Sequence, residues 1–199
     1  MLTYVTGNYG KYISVKEKFE SAGLSINYED IDLEEPAIDD IEYISHEKAR
    51  LAYEKVKSPV FVVDCGFYIN GYPNKPGYPG ALVKRSGIST DIDKLLKTME
   101  GITDRSCYFL DCLTYYDGVE FYTFYGKSEG SLALTKRGNS LKRAKSNLWY
   151  VYIPSYSNKT LAEMTEEEHK NRNNKENVTI KFIEWYKEHI FSKKLSITL

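Results

Sequence analysis

The sequence predicts an α/β protein: a mixed twisted sheet with flanking helices and a long hairpin lobe, leaving a ligand cleft between lobes. Three observations carry that prediction. Val60-Phe61-Val62-Val63 is apolar at every position, as expected of a central strand buried on both faces. Just before it, Ile41, Ile44, Ala49, Ala52, Tyr53 and Val56 recur at helical spacing, so an amphipathic helix leads into that strand. Asp117-Gly118 separates two β-type runs, Cys107–Tyr116 and Val119–Gly126, the signature of a tight hairpin. Buried strands with crossover helices, followed by a hairpin, give a sheet part parallel and part antiparallel.

The other elements follow in order. Leu2–Val5 is a short strand that meets Thr6-Gly7-Asn8 and then a helical pattern over Tyr12–Ala22, ended by Gly23. Ser25–Ile31 reads as a second strand. An acidic loop (Asp32, Glu34, Glu35, Asp39, Asp40) contains Pro36, and the helix that follows runs to Lys57, where Ser58-Pro59 breaks it. The strand from Val60 is expected to end at Asp64-Cys65-Gly66. Residues 70–80 form a turn-rich loop, and Ile92–Met99 a short helix. The stretch 127–146 is basic (Lys127, Lys136, Arg137, Lys142, Arg143, Lys145), Trp149–Ile153 is β-like, and Val178–Phe191 is the last long helix. No linker interrupts the chain, so residues 1–199 are read as one domain.

Composition removes several classes. The 199 residues carry 27 Lys+Arg against 28 Asp+Glu, a balance that argues against a protein devoted to duplex DNA; only a local basic patch could serve one. With 42% hydrophobic and 28% charged residues the chain is ordinary globular material, not a disordered one. Its apolar runs are far shorter than the roughly 20 residues a bilayer requires. Met1–Val5 lacks the basic and apolar regions of a secretion signal and reads as a strand. Cys65, Cys107 and Cys112 have no metal-ligand spacing, which fits reduced thiols in a cytoplasmic protein. Tyrosine is in excess, at 18 residues against eight Phe and two Trp, and most of that excess reads as compositional drift.

Three constellations carry chemistry. Thr6-Gly7-Asn8-Tyr9-Gly10-Lys11 lies between a strand and a helix, where amide N–H groups and a lysine attract anions; an ordinary capped turn is the alternative. Asp64 closes the most buried strand, a place suited to a metal-binding or basic carboxylate, or to a simple turn aspartate. Pro79–Arg85 delivers Lys84 and Arg85 from a constrained loop, either to a ligand or to solvent.

The ordered series TGNxxK, VVDCG, PGxxxK and TLAEM (Thr160–Met164) resembles the inosine/xanthosine triphosphate pyrophosphatase family, whose members hydrolyse deaminated purine nucleoside triphosphates to monophosphate and pyrophosphate. Met99-Glu100-Gly101, Asp104-Arg105, Lys136-Arg137-Gly138, Ile153-Pro154 and Phe182–Trp185 also fall in family order, so the resemblance covers almost the whole chain. It implies that Thr6, Gly7, Asn8 and Lys11, with Cys65, hold the triphosphate. It further implies that Asp64 binds Mg²⁺, or Mn²⁺ in its place, and helps activate water, and that Lys84 stabilises phosphate charge. A homodimer is likewise implied.

The chain also departs from the family pattern. The helix glutamate expected before Ile44-Ser45 is Tyr43; Glu42 is adjacent, about 100° round the helix, and is taken as the second metal ligand, with Glu47 as a substitute. Val63-Asp64 replaces an acidic pair. Asn173-Asn174-Lys175 stands where the family has Ser-His-Arg, His169 where it has a lysine, and Asn139–Trp149 where it has an acid-bearing aromatic segment. Base contacts then fall to Asn174, Lys175 and a stacking Trp149. The leading expectation is a Mg²⁺-dependent nucleoside triphosphate pyrophosphatase with altered base preference. A nucleotide-binding homologue without turnover, and an interaction module built on Lys127–Lys145, stand as alternatives.

Overall fold

The computed structural model describes residues 2–139, 146–170 and 177–191. Strand β1 (Thr3–Val5) leads into α1 (Tyr9–Ser21), and β2 (Asn27–Glu29) into α2 (Ile41–Val56). Then come β3 (Val60–Ile69), β4 (Pro79–Gly80), α3 (Ile92–Thr98) and the hairpin β5 (Ser106–Tyr116) and β6 (Phe121–Leu132). β7 (Tyr152–Pro154), α4 (Glu166–Lys170) and α5 (Val178–Tyr186) follow. The sheet order is β2-β1-β3-β5-β6-β7, with β4 also on β3. β1 is parallel to β2 and β3, and every other pair is antiparallel, so the expected mixed sheet is present.

The apolar run at the start of β3 supplies two layers at once. Val60 and Val62 pack with Ala49 and Ala52 of α2, whose small side chains let the helix approach the sheet. Phe61, on the other face, stacks on Tyr4 with ring centroids 4.7 Å apart and joins Phe19 of α1 and Phe182 of α5. Farther along the same strand, Phe67 and Ile69 belong to a different cluster, with Leu95 of α3, Trp149 and Leu161.

β3 does not end at Asp64. Its pairing with β5 is unbroken from Val60↔Tyr116 to Ile69↔Cys107, which keeps the backbone extended. On its other edge β1 reaches only as far as Phe61, and β4 starts only at Phe67. Among the described residues, the edge of β3 from Val62 to Gly66 therefore faces no strand, and a slot opens there in the sheet.

The other boundary differences have local causes. α1 begins at Tyr9 because Asn8 caps it, its side chain accepting from the Lys11 N–H. β2 shrinks to the residues that pair with β1. Lys127 lies within β6, not in a loop, because that strand extends to pair Gly130–Leu132 with β7. Trp149 sits in a 3₁₀ turn, Asn147–Tyr150, and the last helix changes to a π turn over Lys187–Phe191.

Candidate active site

The phosphate-type turn stands at one side of the slot. Thr6 Oγ1 accepts from the Asn8 N–H at 3.2 Å, and Asn8 Oδ1 accepts from the Lys11 N–H at 3.0 Å. These side chains fix the turn at the start of α1. Lys11 Nζ donates to the Val63 carbonyl at 3.1 Å, using the unpaired strand edge to hold a cation in place. A Cβ on Gly7 would sit 3.1 Å from Asp32 Cβ, so glycine lets the acidic loop close against the turn.

Asp64 lies in the slot, 6% exposed. Its Oδ1 accepts from Lys48 Nζ at 2.5 Å, whereas its Oδ2 is buried with no hydrogen-bond partner. Leaving a charged acceptor unmatched costs free energy, so the orphan oxygen marks a place for a water or a cation. Lys48 also donates to Glu35 Oε1 at 3.1 Å; Glu35 lies 3.6 Å from Lys84 Nζ, and Lys84 lies 3.4 Å from Asp32 Oδ1. Arg85 donates to the Glu35 carbonyl. A cavity of about 320 Å³ opens between Asp32, Glu35, Lys84 and Arg85. Burial alone would raise the Glu35 carboxyl, but Lys48, helped by Lys84 and Lys11, overrides it and holds the group below the ordinary range. Burial would likewise lower the Lys48 ammonium, and Asp64 with Glu35 raises it instead. Both groups are thus held ionised.

Asp64, Lys11 and Lys84 do come together around one slot. Cys65 follows Asp64 on β3 and, half-buried, projects to the opposite face of the sheet. Glu42 is turned to β6: Tyr125 Oη donates to its Oε2, and His46 Nε2 lies 3.8 Å from it. Glu47 pairs with Arg50 at 2.9 Å. Neither glutamate contacts Asp64, and Tyr43 is exposed. The carboxylate that joins Asp64 through Lys48 is Glu35.

Glu35 and Lys48 escaped the sequence reading, although Lys48 left a signal. It falls four residues after buried Ile44, putting a charge on the apolar stripe of α2 where only a paired charge is tolerated. Trp149 is 8% exposed and stacks on His169 at 5.0 Å, and His169 Nε2 lies 3.0 Å from the Leu161 carbonyl. The indole is thus core packing with one face covered, not an open platform for a base. Asn174 and Lys175 lie outside the described residues.

No group of three or more His, Cys, Asp or Glu side chains forms a metal cage among the described residues. The donor set that is present, Asp64 with its free Oδ2 and Glu35 beyond Lys48, suits a hard cation that takes one or two carboxylates and completes its shell with water and substrate phosphates.

A mixed sheet interrupted at one edge, with a capped glycine turn and a carboxylate–lysine chain in the gap, defines an α/β protein with a charged slot in its sheet. The chain belongs to the Ham1 family, whose model matches residues 2–185. It is 31% identical to a dITP/XTP pyrophosphatase of Saccharolobus solfataricus over 93% of each chain. It is 26% identical to the one of Thermococcus kodakarensis, over 95% of this chain and 98% of that protein. Its fold matches a HAM1 protein from Coxiella burnetii with a TM-score of 0.77 at 20% identity, covering 94% of this chain and 100% of that one.

Proposed function

We infer that the chain is a nucleoside triphosphate diphosphatase that hydrolyses a nucleoside triphosphate to monophosphate and pyrophosphate. One observation carries the reading: at the open edge of β3, Lys11 holds the Val63 carbonyl and the chain Lys48–Glu35–Lys84 runs from Asp64, whose Oδ2 is unmatched. The dITP/XTP pyrophosphatase relatives, aligned over nearly the whole chain, support it. The α1 amides and Lys11 take phosphate oxygens. Lys84 and Lys48 offset the charge that accumulates on the leaving pyrophosphate as the α–β bond breaks. Asp64 Oδ2 accepts a proton of the attacking water and orients its lone pair toward the α-phosphorus.

Mg²⁺, or Mn²⁺ in its place, would be held by Asp64 and Glu35 and would neutralise repulsion between water and phosphate. Glu42 has no part in that set. Base preference departs from deaminated purines, since Lys175 cannot give the planar fork of an arginine. A cytoplasmic homodimer completes the proposal. The test is pyrophosphate release from a panel of nucleoside triphosphates with and without Mg²⁺ or Mn²⁺. Saturable nucleotide binding without release, identical in wild type and Asp64→Asn, sinks the enzyme reading.

A further inference from the structure

On the face of the sheet opposite α2, β3, β5 and β6 present three successive cross-strand rows. Val63, Leu113 and Phe124 form one row, packed with the α1–α5 cluster. Phe67, Phe109 and Ser128 form another, whose two phenylalanines pack with the α3–Trp149 cluster. The row between them is Cys65, Asp111 and Gly126, so apolar packing stops there for one polar step. Gly126 brings no side chain, and Cys65 and Asp111 are only half-buried. The row starts at Cys65, on the open edge of β3 next to Asp64 but on the α1 side of the sheet, and crosses β5 and β6 between the two cores.

Asp111 has no evident structural task. Among the described residues its carboxylate accepts no hydrogen bond and joins no ion pair. A fully buried aspartate would need such a partner, whereas half-buried Asp111 keeps its carboxylate open to a ligand. The fully buried Tyr4 hydroxyl, near Thr6 of the turn, lies within electrostatic reach of both Asp64 and Asp111, which places Asp111 in the same neighbourhood as the slot. A carboxylate one strand from the reacting centre would repel phosphate, so it suits the uncharged part of the substrate, where it can only accept.

We propose that Asp111 is a specificity-determining residue that accepts a hydrogen bond from an O–H or N–H donor on the nucleoside moiety of the substrate. The assignment rests on the nucleotide reading of the slot. Two donors share this chemistry, the ribose hydroxyls and the amino or imino groups of the base, and matched substrates separate them. The ratio of kcat/KM for ATP over dATP and GTP over dGTP reads the sugar; ATP over ITP and CTP over UTP reads the base. In Asp111→Asn, which keeps the shape but loses the charge, one of these sets of ratios should move by about tenfold or more, because a hydrogen bond to a charged group is lost. Inhibition by pyrophosphate and the unfolding midpoint should stay at wild-type values. Asp111→Ala should move the same set in the same direction.

Overturning it requires only that every substrate scale alike in both variants, or that none change. If wild-type protein turns over nothing, the diphosphatase reading fails by itself. The same pairs then test Asp111 by equilibrium binding, where unchanged affinity ratios overturn its role.

Discussion

The β3 slot and the Trp149 corner hold residues that the sequence assigns to the nucleotide, and they are held together in opposite ways. In the slot two cations are shared between exchangeable partners: Lys48 between Asp64 and Glu35, Lys84 between Glu35 and Asp32. An incoming phosphate can replace a carboxylate on a lysine with little rearrangement. At the Trp149 corner the partners are Leu148, Val151, Leu161, Met164 and the His169 ring, which no ligand can replace without opening the core. The slot is therefore organised before substrate arrives, whereas the indole contributes stability. What distinguishes one base from another must come from groups that are not packed.

Substitutions can break that contrast. The largest effect is expected at Asp64. Asp64→Asn removes the negative acceptor aimed into the slot, and pyrophosphate release should fall by about 10²–10³ in kcat, comparable to losing a preorganised electrostatic group. Circular dichroism and an unfolding curve should show the fold retained. A loss of less than about tenfold would remove Asp64 from the chemistry.

Next comes Lys48→Met, which strips the cation from two carboxylates in a poorly solvated place. Breaking one partner out of a buried pair costs about 3–5 kcal/mol, and the exposed flank of Glu35 puts the expectation at the lower end, near 3. Urea unfolding measures it. The pH dependence sharpens the result. Glu35 is depressed in the folded state, so its contribution is complete above the ordinary carboxyl pKa and disappears as pH falls through the lowered value. Lys48 is raised, so its contribution is complete below the ordinary lysine pKa and disappears as pH rises through the raised value. The stability gap between wild type and variant should be widest near neutrality and close at both extremes.

At the other region, Trp149→Ala should cost about 3–5 kcal/mol, as large-to-small changes in aromatic cores do, while Trp149→Phe should cost far less. If the indole is packing alone, Trp149→Phe leaves the relative kcat/KM values across a nucleotide panel unchanged. A selective loss for one base would make it a base platform after all.

The same contrast explains what could be read in advance. The turn at Thr6–Lys11, Asp64 and Lys84 were legible because each is a local pattern: a glycine turn between strand and helix, an acid in an apolar strand, a cation in a proline-bounded loop. Glu35 was not, since its role depends on the loop folding back over Gly7 and on Lys48 arriving from a helix thirteen positions later. The slot itself was invisible, because it exists only where β1 stops and β4 has yet to begin. The burial of Trp149 was hidden for a related reason. An exposed-looking aromatic next to a basic stretch carries no sign that a histidine twenty positions on will cover it.

The smallest expected effect falls on Glu42, the carboxylate that sequence reasoning placed on the metal. Its side chain is half exposed and its partner is the Tyr125 phenol, not Asp64. Glu42→Gln should therefore leave kcat within about twofold and stability within about 0.5 kcal/mol, as for an ordinary surface change. It should nevertheless register at one atom. The Tyr125 phenol is raised first by burial and then by its hydrogen bond to the Glu42 carboxylate, which favours the protonated form. Replacing that carboxylate with a neutral amide removes the second cause, so Tyr125 should ionise at lower pH. Ultraviolet difference titration against Tyr125→Phe isolates the residue. A shifted phenol with unchanged turnover keeps Glu42 in a surface contact; a parallel loss of Mg²⁺-dependent turnover would return it to the slot.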